Sequence, residues 1–376
     1  MSKFLISCGG TGGHLSPGIA LAEGLIARNH EIVLLISQKK VDARLIEKYA
    51  GFRFARVPGS GFSINPVGLL KFLISQCQGF LFCLRLVRKE KPDGIVGFGG
   101  FTSAAITLVG WLMRVPVALH ESNRVPGLAV RTLGGFARRV YLPSGVRITS
   151  VRARHIRYVG MPVRQEICPW PQAKAREALG LDPSRTVLVV FGGSQGAGPL
   201  NTWIRASLPT LAAEGIQVYG VTGVGKGEAE TIELPVNTGG TIKSIFVPFC
   251  DQVAALLSAA DLVVSRAGSG SIAELIRCAA PAILVPFPQA ADDHQRANAE
   301  HFERQGGGIV VDQSQLDGLR HEVFDIIFND WLLRQFRSNL QRMDRANPLG
   351  QLLVDIEEVC APKNEFPTGK PKPATA

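Results

Sequence analysis

Short apolar runs alternate with longer stretches of helical spacing along most of the chain. In the first half, β-branched and leucine-rich runs at 3–8, 31–36, 53–57, 94–97, 116–120 and 138–142 predict strands. The intervening segments 13–28, 41–49, 67–89, 101–113 and 128–133 predict helices. Such alternation implies parallel strands joined by crossover helices. A basic, loop-like stretch at 145–157 leads into Tyr158-Val159-Gly160-Met161-Pro162, where glycine and proline mark a hinge. The alternation then restarts, with strands expected at 186–191, 217–221, 244–247, 261–264, 282–285 and 308–311. Helices are expected at 200–211, 252–259, 271–278, 293–303 and 314–327, followed by two more at 331–345 and 349–359.

The pattern predicts an α/β protein of two tandem units: residues 1–160, residues 161–345, a terminal helix over 346–360 and a Pro/Lys-rich tail, 361–376, expected to be disordered. Each unit opens with an apolar strand that ends in glycines. Phe4-Leu5-Ile6-Ser7-Cys8-Gly9-Gly10-Thr11-Gly12-Gly13 has its counterpart in Val187-Leu188-Val189-Val190-Phe191-Gly192-Gly193-Ser194-Gln195-Gly196. Two such units face to face form a cleft bounded by the carboxyl ends of both sheets.

Composition narrows the classes. Of 376 residues, 46% are hydrophobic and 19% charged, enough for two cores, and 41 Gly with 23 Pro supply tight loops without low complexity. Fibrous, disordered and disulfide-stapled classes are excluded. Charge is unevenly placed: residues 1–164 carry 23 Lys+Arg against 7 Asp+Glu, and residues 165–376 carry 18 against 24. The first half is therefore expected to meet something anionic. Seven cysteines without a Cys-x-x-Cys pair read as buried thiols of a reducing compartment. The N-terminal apolar stretch is too short for a signal peptide. The uncharged span 94–113 is long enough for a membrane helix, but its glycines split it into a short strand and a helix.

Chemistry concentrates in four glycine loops between a strand and a helix, at 9–13, 97–100, 192–196 and 267–270. Such loops bring backbone N–H groups close to phosphate, and the helix N-terminus adds a favourable field. Four of them in two units predict a phosphate-rich ligand. A dinucleotide fingerprint fails: Gly10-Thr11-Gly12-Gly13-His14-Leu15 lacks the last glycine, and the second strand runs into Ser37-Gln38-Lys39-Lys40 rather than an acidic residue. No Gly-Lys-Ser/Thr P-loop occurs, and no metal-binding motif.

Six ordered motifs then carry a resemblance. They are Gly9-Gly10-Thr11-Gly12-Gly13-His14, His120-Glu121-Ser122-Asn123, Gly160-Met161-Pro162-Val163-Arg164, Gly192-Gly193-Ser194-Gln195-Gly196, the run from Ser265 to Glu274, and Ala290-Ala291-Asp292-Asp293-His294-Gln295. Over roughly residues 3–345 the chain resembles the MurG family of bacterial UDP-GlcNAc:lipid I N-acetylglucosaminyltransferases. Ser122 departs from the family's usual Gln, and Gln289 from its usual apolar residue.

The resemblance implies a glycosyltransferase B fold, two Rossmann-like domains with the donor held mainly by the second. It implies inverting transfer of GlcNAc from UDP-GlcNAc to the C4 hydroxyl of MurNAc in lipid I, without metal or cofactor. Nucleic acid is not an expected partner; a cell-wall synthesis complex and the anionic cytoplasmic face of the inner membrane are. Thr11, Gly12 and Gly13 form the first phosphate loop. His14 is the first candidate base, because the field at a helix N-terminus favours the neutral imidazole. Glu121 is the alternative base, or a partner of His120. Ser194 and the Ser269-Gly270-Ser271 turn are seats for the donor diphosphate. Glu274 is implied to hold ribose hydroxyls, Gln295 to read the sugar, and Arg164 to reach a phosphate from the hinge. Asn123, Cys250 and Ile272 complete the donor contacts.

An apolar stripe (Leu69, Leu70, Phe72, Leu73, Ile74, Phe80, Leu81, Phe82 and Leu84), with Trp111-Leu112-Met113 nearby and rimmed by Lys71, Arg85, Arg88, Lys89, Lys91 and Arg114, suits a peripheral membrane surface or else a core-packed helix. Two other readings stay open at this stage. One is a different enzyme on the same fold, such as a UDP-GlcNAc 2-epimerase or a diacylglycerol glycosyltransferase. The other is a catalytically silent nucleotide-sugar-binding module.

Overall fold

In the computed structural model, which describes residues 1–9, 12–38, 43–59, 65–193 and 196–361, the alternating pattern becomes two seven-stranded sheets. The first half runs β1 (Lys3–Ser7), α1 (Gly12–Ile26), β2 (Glu31–Ile36), α2 (Ala43–Lys48), β3 (Phe54–Arg56), α3 (Pro66–Glu90), β4 (Gly94–Gly97), α4 (Gly100–Leu112), β5 (Val117–His120), α5 (Leu128–Leu133), β6 (Arg139–Leu142) and β7 (Ile156–Tyr158). The second runs α6 (Gln172–Ala178), β8 (Thr186–Phe191), α7 (Gly198–Ala213), β9 (Ile216–Val221), β10 (Glu230–Pro235), β11 (Thr241–Val247), α8 (Val253–Ala259), β12 (Leu262–Ser265), α9 (Ser269–Arg277), β13 (Ala282–Leu284), α10 (His294–Arg304), β14 (Gly308–Val310), α11 (Leu319–Ile327) and α12 (Asp330–Asp344). A last helix, α13 (Pro348–Cys360), follows. The tail from 362 lies outside the described residues.

Strand order is β3-β2-β1-β4-β5-β6-β7 in the first sheet and β10-β11-β9-β8-β12-β13-β14 in the second. All pairings are parallel except β10 with β11. Chain direction across the sheet reverses between β1 and β4, and again between β8 and β12, which are the places where open parallel sheets hold ligands.

Both sheets are covered on both faces, so alternate residues of one strand enter different cores. Phe4 and Ile6 of β1 pack with Leu15 and Ile19 of α1, whereas Leu5 packs beneath α3 and α4 with Val87 and Ile106. In β8, Leu188 and Val190 face Trp203 and Val323, and Val187 and Val189 face Leu256 and Leu275.

The chain crosses back at its end. Leu352, Leu353, Ile356 and Val359 of α13 are buried in the first half's core beside Phe4 and Leu21. At about 1.5–3 kcal/mol for each buried aliphatic side chain, this packing outweighs the exposed pair Arg28–Glu357 that rims it. Asp355 fixes the helix further: it accepts from Arg139 Nε at 2.7 Å and from the Tyr141 hydroxyl at 2.8 Å.

Three elements escape the apolar-run reading. β7 and β10 are edge strands whose apolar positions are few: β7 reads Ile-Arg-Tyr, and β10 buries only Ile232 and Leu234 partway. α6 is a short alanine- and charge-rich helix. The helix expected over 314–327 is a 3-10 turn, Gln313–Gln315, followed by α11 after Gly318. The span 94–113 divides into β4 and α4. Among the cysteines, Cys77 and Cys168 are exposed, against the expectation of burial, and the other five are buried.

Replacing Asp355 with Ala leaves Tyr141 and Arg139 without their shared acceptor and should cost about 3 kcal/mol, read as a drop of several degrees in the thermal midpoint. Arg205→Ala should cost about 1 kcal/mol, chiefly through its guanidinium 3.8 Å above the Phe246 ring and little through the exposed pair with Glu230.

Candidate active site in the interdomain cleft

The four glycine loops stand at the carboxyl ends of β1, β4, β8 and β12, the strand pairs that flank the two reversals. Glycines from all four, Gly13, Gly100, Gly193 and Gly270 among them, line one cavity of about 1630 Å³ walled from both halves. A single small-molecule site usually occupies about 300–1,000 Å³, so this cleft has room for the reacting ends of two substrates.

On the second half, α9 provides the clearest anion seat. Its N-cap, Gly268, makes no side-chain cap bond, and the first intrahelical bond runs from Ile272 N to Gly268 O at 3.0 Å. The amides of Ser269, Gly270 and Ser271 therefore have no acceptor within the helix and point with its positive end toward the cleft. All three residues line the cavity. Ile272 is the exception among the implied contacts: its amide serves the helix and its side chain packs into the core. The N-caps of α4 (Gly99) and α7 (Ala197) also lack side-chain cap bonds. Thr11 and Ser194 lie outside the described residues, and Gly12 opens α1.

Glu274 lies one turn into α9 and reaches the cavity wall from a buried position, its side chain 14% exposed. Burial pushes its carboxyl above the ordinary range, and the guanidinium of Arg164 opposes that shift. Arg164, implied to reach a phosphate from the hinge, stands in the cavity wall. It is buried, with Nη1 on Glu166 Oε1 at 2.7 Å and Nη2 on Glu274 Oε1 at 3.2 Å. Its guanidinium is thus the counter-ion that opposes the effect of burial on Glu274.

Two loops at the far side of α9 complete this half. Gln295, at the start of α10, accepts Phe287 N through Oε1 at 3.0 Å, which fixes the amide and leaves its NH2 as the donor end in the cavity wall. The turn before it, Ala291–Asp293, holds Asp292 and Asp293 at φ 51° and 52°, a left-handed pair that ends the turn before α10 begins. This interrupts the continuous helix expected from 293. Cys250 lines the cavity as a buried thiol whose pKa burial raises. Arg266 went unassigned in the sequence although it sits inside a quoted motif. It is buried and donates to the carbonyls of Val285 and Pro286, both at 3.1 Å, and to Gln313 Oε1 at 2.5 Å, fixing the loop that leads to Gln295.

On the first half, Gly13 and His14 line the cleft at the N-terminus of α1. Gly100 stands at φ 72°, and a Cβ there would lie 3.1 Å from Gly9 O and 3.3 Å from His14 Nδ1. Glycine thus admits the imidazole between the β1 and β4 loops. Glu121 is arranged differently from a base. Its Oε1 accepts Asn123 N at 2.8 Å and Asn123 Nδ2 at 2.9 Å, and its Oε2 accepts Gly127 N at 2.7 Å, so both oxygens brace its own loop. His120 feels the Glu121 charge but hydrogen-bonds elsewhere: its Nε2 donates to Gly160 O at 3.0 Å and ties β5 to the hinge. Asn123 is likewise engaged, with Oδ1 accepting from Asn298 Nδ2 at 3.1 Å. Asn298 carried no sequence assignment; its one signal was a position three residues after Gln295, on the same helix face. The departure residue Ser122 meets Ser269 across the cleft, Oγ to Oγ at 3.0 Å, and Gln289 is exposed in the cavity wall.

Arg164→Met removes the cation that opposes burial at Glu274, so the carboxyl keeps its proton to higher pH. The KM for a UDP-sugar should then rise about tenfold on the acid side and return toward the wild-type value as the pH is raised, as steady-state kinetics across pH will show.

Known proteins match this architecture along the whole chain. Residues 4–142 match the glycosyltransferase family 28 N-terminal domain and residues 187–345 match the glycosyltransferase family 28 C-terminal domain. A relative from Opitutus terrae, named UDP-N-acetylglucosamine–N-acetylmuramyl-(pentapeptide) pyrophosphoryl-undecaprenol N-acetylglucosamine transferase, is 60% identical over 376 residues, covering 100% of this chain and 99% of its own. A protein of the same name from Geotalea uraniireducens is 32% identical, covering 96% and 100%. Among solved structures, Acinetobacter baumannii MurG superposes with a TM-score of 0.69 at 22% identity, over 95% of this chain and 99% of that one. The glycosyltransferase of kitacinnamycin superposes at 0.70 and 15%, over 95% and 99%. These superpositions bear on the fold, which is that of two-domain glycosyltransferases. With both domain matches and a full-length relative of this identity, the chain belongs to glycosyltransferase family 28.

Proposed function

We propose that the enzyme transfers GlcNAc from UDP-GlcNAc to the C4 hydroxyl of MurNAc in lipid I, inverting the anomeric centre and releasing UDP. The name borne by the relative at 60% identity supports this reading. The structural observation that carries it is the pairing of an uncapped α9 and Glu274 on one wall with His14 on the other, across a single cleft. In this reading residues 1–160 form the acceptor half, residues 161–345 the donor half and 346–360 a strap between them.

The donor half binds UDP-GlcNAc. Backbone amides of 269–271 receive the diphosphate, Glu274 accepts from ribose hydroxyls, and the Gln295 amide donates to the sugar. The acceptor oxygen attacks C1 of GlcNAc from the side opposite UDP. The C1–O bond to the β-phosphate breaks, its electron pair stays on that oxygen, and the α9 amides stabilise the charge that appears there. His14 takes the proton of the attacking hydroxyl as the new glycosidic bond forms.

The site works at the cytoplasmic face of the inner membrane, with the enzyme bound peripherally. No helix among the described residues is long and apolar enough to cross a membrane. Of the apolar stripe, Phe80, Phe82 and Leu84 pack against the core, while Ile74 and Leu81 are exposed. Trp111 and Leu112 at the end of α4 are exposed as well. The side chains of Leu69, Leu70, Lys71 and Leu73 lie outside the described residues. Arg85, Arg88, Lys89, Lys91 and Arg114 are exposed nearby in sequence, a composition that suits anionic headgroups.

Labelled UDP-GlcNAc and a lipid I analogue should give labelled disaccharide-lipid, with the yield unchanged by a chelator. Label recovered only as an epimer, or on diacylglycerol, sinks the reading. His14→Ala should lower kcat about 10²–10⁴-fold with a small change in donor KM; a loss confined to KM removes the base assignment. Binding to anionic vesicles should weaken as salt shortens the screening length, and Leu81→Glu should weaken it further at every salt concentration.

A further inference from the structure

We infer that Asn298 is a positioning residue: its single carboxamide locks the acceptor-side loop 121–127 onto the two donor-reading elements of the second half. The inference deepens the transferase reading and rests on it. Asn298 is 5% exposed, and its amide makes three hydrogen bonds. Oδ1 accepts Arg124 N at 2.9 Å, and Nδ2 donates to Asn123 Oδ1 at 3.1 Å and to Ala267 O at 3.2 Å. Two of these bonds cross between the halves, and the third reaches the residue just before the α9 cap.

The chemistry selects asparagine. The site presents one N–H and two oxygens, so it requires one acceptor and two donors in a planar fork. Aspartate would set a carboxylate against two oxygens, and leucine would leave three buried polar groups unpaired.

What the amide grips is itself rigid. Glu121 braces loop 121–127 with three bonds. On the other side, Asn298 sits one turn from Gln295 on α10 and touches the carbonyl adjoining the diphosphate seat. Ser122–Ser269 continues the seam inward, and Arg131 Nη2–Asp292 Oδ2, at 2.6 Å, continues it outward. The ion pair is exposed and weak; the buried amide sets the geometry. Since reacting atoms must be held to within a fraction of an ångström, a seam anchored beside both donor seats determines where the acceptor hydroxyl meets C1.

Asn298→Ala should lower kcat for lipid I about tenfold while UDP affinity, measured by calorimetry, stays within about twofold, because the diphosphate and ribose seats, residues 269–271 and Glu274, stand on the second half. Asn298→Asp should be worse than Ala. Hydrogen exchange supplies a direct readout: the Arg124 amide should lose protection in Asn298→Ala. Unchanged kcat, equal protection of the Arg124 amide, or parallel loss of kcat and UDP affinity would each overturn the inference. If Asn298→Ala fails to fold, the exposed pair carries the test. Arg131→Glu should lower kcat about threefold, and adding Asp292→Arg should restore it; a double variant no better than the single one refutes the seam. Wild-type transfer in the same assay tests the functional reading separately, and the Arg124 exchange decides the seam even if that transfer is absent.

Discussion

A helix cannot satisfy its own first amides, and this enzyme arranges its cleft around that constraint. Parallel sheets deliver every strand end to the same edge, so the helices that follow β4, β8 and β12 all begin at one surface. Of these, α4, α7 and α9 begin after Gly99, Ala197 and Gly268, which carry no side chain able to close off those donors. Helices α5, α6, α8, α10 and α11 also lack a side-chain cap bond, so what distinguishes the three is that they begin at the cleft from the glycine loops that end β4, β8 and β12. The orphan N–H groups of α9 point with the positive end of the helix into the cavity, where an anion would find them. Carboxylate placement follows from the same economy. Burial disfavours a charged carboxylate at Glu274, and Arg164 supplies the counter-ion that opposes it.

Much of this was legible beforehand, for physical reasons. Strands buried on both faces must be apolar throughout, so β1, β2, β8 and β12 announced themselves. Glycines stood out because close backbone approach leaves no space for a Cβ: at Gly9 one would sit 2.2 Å from Ser37 N. Edge elements carried less signal. β7 and β10 bury too little to impose a pattern, and their identity comes from neighbours distant in the chain.

Side-chain roles were less legible than side-chain locations. Arg164, Glu121 and Asn123 all stand at the site, yet each is engaged with protein partners that sequence order does not reveal: Glu166 and Glu274 for the first, residues 123 and 127 for the second, Asn298 for the third. Arg266 and Asn298 passed unnoticed for the converse reason. A buried Arg bonded to carbonyls and a buried Asn bonded across a seam look, in one dimension, like ordinary polar residues of a loop and a helix.

The returning helix α13 bears on how the enzyme is made. Its leucines, isoleucine and valine fill a core whose first member is Phe4, more than three hundred residues upstream. During synthesis the leading half therefore leaves the ribosome with an open apolar trough, while the trailing half can close its own two cores as soon as α12 emerges. Maturation thus runs opposite to translation: the portion born earliest is sealed last, and a nascent chain stalled short of α13 would present that trough to chaperones.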